Sequence, residues 1–409
     1  VMAGRHKTDM ARLCRDLKPI CEHHIRMFGE PAPMDRYLFM TLVTGNGYGG
    51  LEHRNSTSLM CARDDLPKRT DEPGKVRDGY RNYLGLCSHE YFHTWNIKRI
   101  KPAAFTPFDL SREVHTELLW AFEGITSYYD DLSLTRTGLI APQSYLELLG
   151  QTLSRVYRGQ GRHKQTVTES SFDAWTRFYK QDENAPNAIV SYYTKGSLVA
   201  LALDLTLRNL TDEKKSLDDL MRLLWARYGQ TGEGVPEQGI QPLAEEVAGC
   251  DMSDFFEQAL YSTEDLPLAE LLAERGVELN WRSAAGHGDN GGKPGKDGIP
   301  NLGVRLVADP MGAKIVVAFE QGPAMAAGLS AGDVIIAVDG LHATQSNIDN
   351  LMANFLPGEN VEVHAFRRDE LMKFNVTVAP SEPSTAYLTI AKGGLTEKGK
   401  AWLHWKGNE

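Results

Sequence analysis

The sequence predicts a multidomain α+β chain in three parts: an α/β segment, an all-helical middle, and a small, mostly β domain. Three observations predict it. Apolar residues recur at helical spacing through 8–29 and from 142 to about 273. A β-branched and aromatic run, RYLFMTLVTG at 36–45, stands among the early helices as a strand. A Gly-, Lys- and Asp-rich stretch, SAAGHGDNGGKPGKDGIP at 283–300, separates the helices from a set of short β-type runs. The expected parts are 1–136, 137–275, 276–380 with a flexible entry loop at 283–300, and a terminal segment at 381–409.

The elements follow in order. Met10, Leu13, Leu17, Ile20, His24 and Met27 mark a helix. The strand at 36–45 runs into GNGYGG, a glycine-rich loop. VRDGYRNYLGLCSHEYFHTWNIKRI (76–100) reads as mostly helix, broken by Pro102 and Pro107. SREVHTELLWAFEGITSYYDDLSL (111–134) reads as another, with Ser111 as N-cap. Turns at 159–161, 184–187 and 229–239 divide the helical middle. The β runs are GVRLVAD, KIVVAFE, DVIIAVDG, VEVHAFRR and KFNVTVA, with one short helix from about Asn347 between the third and fourth. The tail holds a strand, YLTI, and a short helix whose Trp402 and Trp405 are expected to pack against the body. There are no internal repeats.

Lys and Arg total 44 against 54 Asp and Glu, a net charge of −10, which argues against nucleic acid and anionic membrane surfaces as partners. No apolar run reaches the length of a membrane span, and no signal peptide is evident. VMAGRHKTDMARLC reads as the entry to a helix, so the chain is expected to be a fragment. The sequence does not fix the compartment; the cytoplasm is set slightly ahead of the periplasm. Cys14, Cys21, Cys61, Cys87 and Cys250 are odd in number and scattered, unlike a disulfide framework. Cys87 is expected to be a reduced, buried thiol, because helix geometry aims it away from His89.

The chemistry centres on HEYFH, residues 89–93. On a helix, His89 and His93 lie on one face, one turn apart, and can reach one ion. Glu90 sits about 100° round the helix, placed to act on a water held there. That pattern points to a zinc site with a glutamate general base, and such a site wants a third protein ligand. The downstream candidates are Asp109, Glu113, His115, Glu117, Glu123, Asp130 and Asp131. Glu123 stands out as the lone carboxylate in LLWAFEGITSYY, since an unpaired buried charge is costly. Its partner is expected to be the metal, with Arg99 as the alternative. Gly124 is expected to let the backbone approach the HEYFH helix closely. Asp130 or Asp131 is a candidate partner for the far nitrogen of a ligating histidine. Lys98 and Arg99 are either substrate contacts or a solvated pair.

HEYFHTWNIKRIKP followed by LLWAFEGITSYY resembles the glycyl aminopeptidase family of gluzincin zinc metallopeptidases, and the resemblance extends over nearly the whole chain. It implies a thermolysin-like zinc peptidase subdomain with one Zn2+ per chain. His89, His93 and Glu123, the last on the next helix, would hold the ion, and Glu90 would be the base. GYGGLEH (47–53) matches the segment that binds substrate: Glu52 would take the free amine, and the backbone of Gly49, Gly50 and Leu51 would pair with the peptide. His53 stands where the wider clan usually has Asn. SYYTKGSLVALAL (191–203) resembles the Tyr-x-Lys-Gly segment, which makes Tyr193 the oxyanion donor, with Lys195 and Gly196 completing the motif and Tyr192 pointing elsewhere.

GPAMAAGLSAGDVIIAVDG (322–340) resembles the core of a PDZ domain, with Asp333 in its Gly-Asp-x-Ile pattern and a helix-free turn expected before it. The carboxylate loop would lie near PNLGV, so Leu302, Gly303 and Val304 would line a peptide groove. The loop departs from the usual Gly-Leu-Gly-Phe, which puts capture of a C-terminus in doubt. Members of the glycyl aminopeptidase family carry a PDZ domain in this position. They also have a β-rich domain before the catalytic one, for which this chain has no residues. The expected function is zinc-dependent removal of N-terminal residues, Gly or Ala by the family's name, from peptides with a free N-terminus. The alternatives are a zinc endopeptidase with the same metal site and a non-catalytic PDZ scaffold that binds peptides.

Overall fold

A computed structural model describes residues 1–72, 74–295 and 298–405. Positions 296–297 of the expected entry loop and 406–409 of the tail lie outside the described residues. The N-terminal part is a four-stranded sheet packed on helices. Its strands are β1 (Met2–Ala3), β2 (Leu38–Thr44), β3 (Tyr48–Glu52) and β4 (Ser56–Ala62), in the order β1-β2-β4-β3. β2 and β4 run parallel, whereas β3 is antiparallel to β4 and leaves one edge of the sheet open. Val43, Leu59 and Cys61 join the core formed by α1 (Met10–Phe28) and α2 (Asp78–Phe92). α2 is buried nearly all round, which is why it shows little amphipathic pattern.

The helix expected from Ser111 begins only at Trp120. The Ser111 hydroxyl donates to Asp109 Oδ1 instead of capping a helix. Thr116 and the Glu117 amide are held instead by the distant Glu237 carboxylate. The ordered run opens with one wide π turn, Trp120–Gly124, and continues as α3 (Ile125–Arg136). Helices α4 (Pro142–Arg158), α5 (Val167–Phe172), α6 (Ala185–Ala188), α7 (Thr194–Leu210), α8 (Leu217–Leu224), α9 (Ile240–Ala248), α10 (Ser253–Phe256) and α11 (Leu268–Ala273) make up the middle. α7 is its axis, with Leu198 to Leu205 almost wholly enclosed.

β5 (Val277–Arg282) precedes a separate six-stranded sheet. That sheet contains β6 (Val304–Asp309), β7 (Gly312–Ala318), β8 (Val334–Val338), β9 (Leu341–His342), β10 (Asn360–Arg367) and β11 (Glu370–Thr377). The order β11-β10-β8-β7-β6 leaves β6 at an edge, and β9 pairs with β8. The turn expected to be free of helix holds a short one, α12 (Pro323–Ala326), because Pro323 is pre-set for a first helical position. α13 (Ile348–Met352) closes this domain's own core around Leu306, Ile335 and Val363. β12 (Thr385–Ile390) returns to pair with β5, and the two pack on α4 with the helical body. Part of the 283–300 stretch is tied down too: Arg282 pairs with Asp289, and Gly292 N donates to Ala386 O at 2.8 Å. α14 (Glu397–Leu403) buries Trp402, whose indole donates to Tyr128 Oη at 2.9 Å. No helix among the described residues is long and apolar enough to cross a membrane.

Candidate active site

α2 carries His89 and Glu90 in its last turn, and His93 follows as its C-cap. The two imidazoles stand edge to face, their centroids 4.7 Å apart. Glu123 faces both of them from the π turn. Its Oε2 lies 3.3 Å from His89 Nε2 and 3.3 Å from His93 Nε2. That oxygen is buried, yet neither approach has hydrogen-bond geometry, so it is orphaned between two nitrogens. Atoms arranged this way aim at a shared point. A tetrahedral ion with bonds near 2.0–2.1 Å sets its ligands ~3.3 Å apart, so the three donors fit a metal. Among the described residues they form the one group of His, Cys, Asp or Glu with that convergence.

The electrostatics agree. Burial would push the Glu123 carboxyl up, but the charges of His93 and His89 outweigh it and hold the group well below the usual range. Burial also works against a charged His89, yet Asp130 and Glu123 outweigh it and raise its pKa. Anions that draw a proton to these rings also draw a cation. Of the two candidates left open for the far nitrogen of a histidine, Asp130 is the partner: its Oδ2 is 3.1 Å from His89 Nδ1. His93 Nδ1 is 2.9 Å from Asn96 O. These contacts fix both rings with Nε2 inward.

Sequence reasoning missed Asn96. Its amide donates to Ala121 O at 3.0 Å, Phe122 O at 3.1 Å and Thr126 Oγ1 at 3.1 Å. A π turn shifts backbone bonding by a residue and displaces carbonyls from the normal ladder. Asn96 satisfies two of them and ties the His93 turn to the segment carrying Glu123. A lone buried amide inside HTWNIK was the available signal.

Gly124 acts differently from expectation. A Cβ there would meet Gly196 backbone atoms at 2.5 and 2.6 Å, so the close approach is to α7 and not to the HEYFH helix. That contact brings Tyr193, at the start of α7, to within 6.4 Å of the His89 ring, centroid to centroid. Burial, and then the charge of Glu123, raise the Tyr193 pKa far above normal, so it stays a phenol and a donor. Tyr192 does not point elsewhere. Its ring stacks 4.8 Å from that of Tyr193, and both hydroxyls meet that of Tyr179, at 3.3 and 3.0 Å.

Glu90 is 4% exposed and lies directly under β3. A Cβ on Gly50 would sit 2.0 Å from Glu90 Oε1, and Thr57 Oγ1 is 3.4 Å from Oε2 on another side. Burial raises the Glu90 pKa, which suits a proton acceptor. Glu52 ends β3 and is paired with Lys98 Nζ at 2.8 Å, a partnership the sequence did not reveal. Arg99 bonds instead to the carbonyls of Arg54, Thr94 and Pro33, away from Glu123. Cys87 is fully enclosed and lies outside the donor set.

Glu52, Gly49, Gly50, His89, Glu90, His93, Glu123 and Tyr193 all line one cleft of about 1050 Å3, and Leu51 lies on the same strand with its side chain exposed. Leu302, Gly303 and Val304 line a second cavity of about 830 Å3, between β6 and α13 on one side and the helical body on the other. They are not brought to the metal donors.

Residues 82–199 match the family model described as M61 glycyl aminopeptidase, and 300–378 match that of the PDZ domain. A crystal structure of an aminopeptidase N family protein from Idiomarina loihiensis is 44% identical and superposes with a TM-score of 0.94. The match covers 100% of this chain and 68% of that one. A stretch of 85 residues, 20% of this chain, is 35% identical to a probable periplasmic serine endoprotease, DegP-like, from Brucella suis, and equally to that of Brucella abortus. This chain spans only 16% of the length of those curated relatives.

Proposed function

The chain belongs to the M61 glycyl aminopeptidase family of metallopeptidases, and from that premise we propose that it is a zinc-dependent aminopeptidase that hydrolyses the N-terminal bond of peptides. The observation that carries this reading is the convergence of His89, His93 and Glu123 beside a buried Glu90, directly beneath an open strand edge that ends in Glu52. Zinc held by those three residues would supply a Lewis acid that acidifies water and polarises the scissile carbonyl.

The chain's own groups do the rest. A peptide added as a strand along the edge of β3 pairs with the backbone of Gly49 to Leu51. Its ammonium reaches Glu52, and the fixed spacing from Glu52 to Glu90 places the first peptide bond over the base. Glu90 takes the proton of the attacking water and hands it to the leaving amine. Tyr193, held as a phenol, donates to the oxyanion. A preference for Gly or Ala at the N-terminus rests on the family description. A specific observation keeps a second reading in view: Glu52 is already paired with Lys98, as it could remain in an endopeptidase that takes no ammonium.

The test is hydrolysis of Gly- and Ala-p-nitroanilide by the zinc-loaded protein, with N-acetyl-Ala-p-nitroanilide as control. Cleavage of the free amines alone, abolished by chelator and by Glu52→Ala, is expected. Cleavage of the blocked substrate would replace the reading with the endopeptidase.

A further inference from the structure

The cleft that holds the metal donors has a second charged region, which the proposed chemistry does not use. Arg155 and Arg158 at the end of α4, Arg162 just beyond it, and Arg305 on β6 also line it. They lie apart from the catalytic carboxylates. The charges acting on Glu90 are His89, His93, Glu52 and Glu123, whereas the charge acting on Arg305 is Arg155. Arg162 is neutralised by Asp265. Among the described residues, Arg155, Arg158 and Arg305 have no carboxylate within 4.0 Å. Asp289, the anion that acts on Arg158, is committed to Arg282 through two bonds. Arg155 and Arg305 are exposed at the cleft wall, where the charge of Arg155 opposes that of Arg305, and Arg158 is partly buried with Nη2 donating to Thr385 Oγ1 at 3.1 Å. A ligand carrying negative charge would find three cations here with no carboxylate already paired to them.

The Gly303 N–H is taken by Asn301 Oδ1 at 2.8 Å, so this loop amide does not point out at a carboxylate. Arg158 and Arg305 line both cavities and so stand where the groove opens into the catalytic cleft.

We propose that Arg155, Arg158 and Arg305 bind the C-terminal carboxylate of the same peptide whose N-terminus is held at Glu52, making this a peptidase for short, zwitterionic oligopeptides. The proposal rests on the aminopeptidase reading above. The cleft carries carboxylates at one region and guanidinium groups at another, which complements a chain with a free amine and a free acid. Its volume of about 1050 Å3 is at the upper limit of small-molecule pockets, suited to a peptide of a few residues. One of the three arginines comes from the β domain, so that domain completes the substrate site.

The experiment compares zinc-loaded protein on two tetrapeptides, Ala-Gly-Gly-Leu with a free C-terminus and the same peptide as its amide, with Ala-p-nitroanilide as a reference. Neither peptide has an acidic side chain, so only the terminal carboxylate differs. The free acid is expected to have a kcat/KM about tenfold higher, carried by KM, in line with one charge-assisted hydrogen bond. In Arg305→Gln and Arg158→Gln the acid-to-amide ratio is expected to fall towards one. The ratio is taken within each preparation, so partial misfolding leaves it unchanged. Calorimetry with Glu90→Gln gives a second readout, in which the acid binds more tightly than the amide. Equal turnover of acid and amide by the wild type, with Ala-p-nitroanilide cleaved, overturns this proposal alone. Failure to cleave Ala-p-nitroanilide overturns the aminopeptidase reading beneath it. A ratio unchanged in both variants assigns the carboxylate to other groups and also overturns the proposal.

Discussion

Gly50→Ala tests the site at its tightest point. A Cβ at Gly50 would lie 2.0 Å from Glu90 Oε1, 2.4 Å from Cδ and 2.8 Å from Cγ, against an ordinary contact of 3.4 Å or more. The base must therefore move by about 1.4 Å, or β3 must. The Glu90 side chain lines the open cleft and can turn away from the strand, which takes the carboxylate off its working position. Misplacing a reacting group by about 1 Å costs on the order of a hundredfold in rate, or about 2.7 kcal/mol in the barrier. The expected result is a kcat on Ala-p-nitroanilide down about a hundredfold, with zinc content unchanged by elemental analysis. Gly49→Ala is the control. A Cβ there meets nothing within 4 Å, and neither glycine has a positive φ, so each backbone accepts alanine. A Gly50→Ala enzyme within about threefold of the wild-type kcat, or a Gly49→Ala enzyme equally impaired, would refute the argument that Glu90 works from directly beneath this strand.

Removing the Asp130 carboxylate, as Asp130→Asn, is expected to weaken zinc binding by roughly ten- to a hundredfold in a competition titration, because it no longer fixes His89 as an acceptor. Asn96→Ala removes the amide that bridges Ala121 O, Phe122 O and Thr126 Oγ1; Phe122 O keeps the Thr126 hydroxyl at 2.6 Å, but the buried Ala121 O loses its side-chain donor. The substitution is expected to lower stability by about 2 kcal/mol or more in denaturant unfolding and to weaken zinc binding as well. Gly124→Ala forces the π turn and α7 apart, because a Cβ there would meet Gly196 backbone atoms at 2.5 and 2.6 Å; kcat should fall as Tyr193 shifts. His24 is fully enclosed between α1 and α2, with Nε2 3.0 Å from Ser88 Oγ, and burial depresses its pKa well below normal. A histidine kept neutral by folding contributes stability that is complete above its unfolded pKa of about 6.5 and is lost as pH falls below it. Thermal unfolding should thus show a drop in Tm between pH 7 and 5, reduced in His24→Gln.

The parts of this site that were legible in the sequence are those whose chemistry is local. His89 and His93 are one helical turn apart, His89 in the last turn of α2 and His93 as its C-cap, so the spacing aims them together. Glu123 stood out because a carboxylate inside LLWAFEGITSYY needs a strong partner, and the structure places it between both rings. The illegible parts are contacts made between segments distant in the chain. Nothing in the residues around Gly124 shows that Gly196, on a later helix, is what it must let approach. The start of the helix was misjudged for the same reason. Residues 111–119 were expected to be helical, but Glu237, more than a hundred positions on, takes the Glu117 amide, which a helix begun at Ser111 would bond to its own carbonyls. Neither Asp130 nor Asp131 could be preferred, since the choice depends on the packing of α3 against α2. The Lys98–Glu52 pair crosses from the turn after α2 to the sheet edge. It carries the most consequence for the proposed function, in which an arriving ammonium would have to share Glu52 with that lysine or displace it. Binding of the free amine would then be a competition between two cations for one carboxylate. Lys98→Met should tighten binding of free-amine peptides and leave that of N-acetylated ones unaffected, which calorimetry with both classes on a Glu90→Gln background would show.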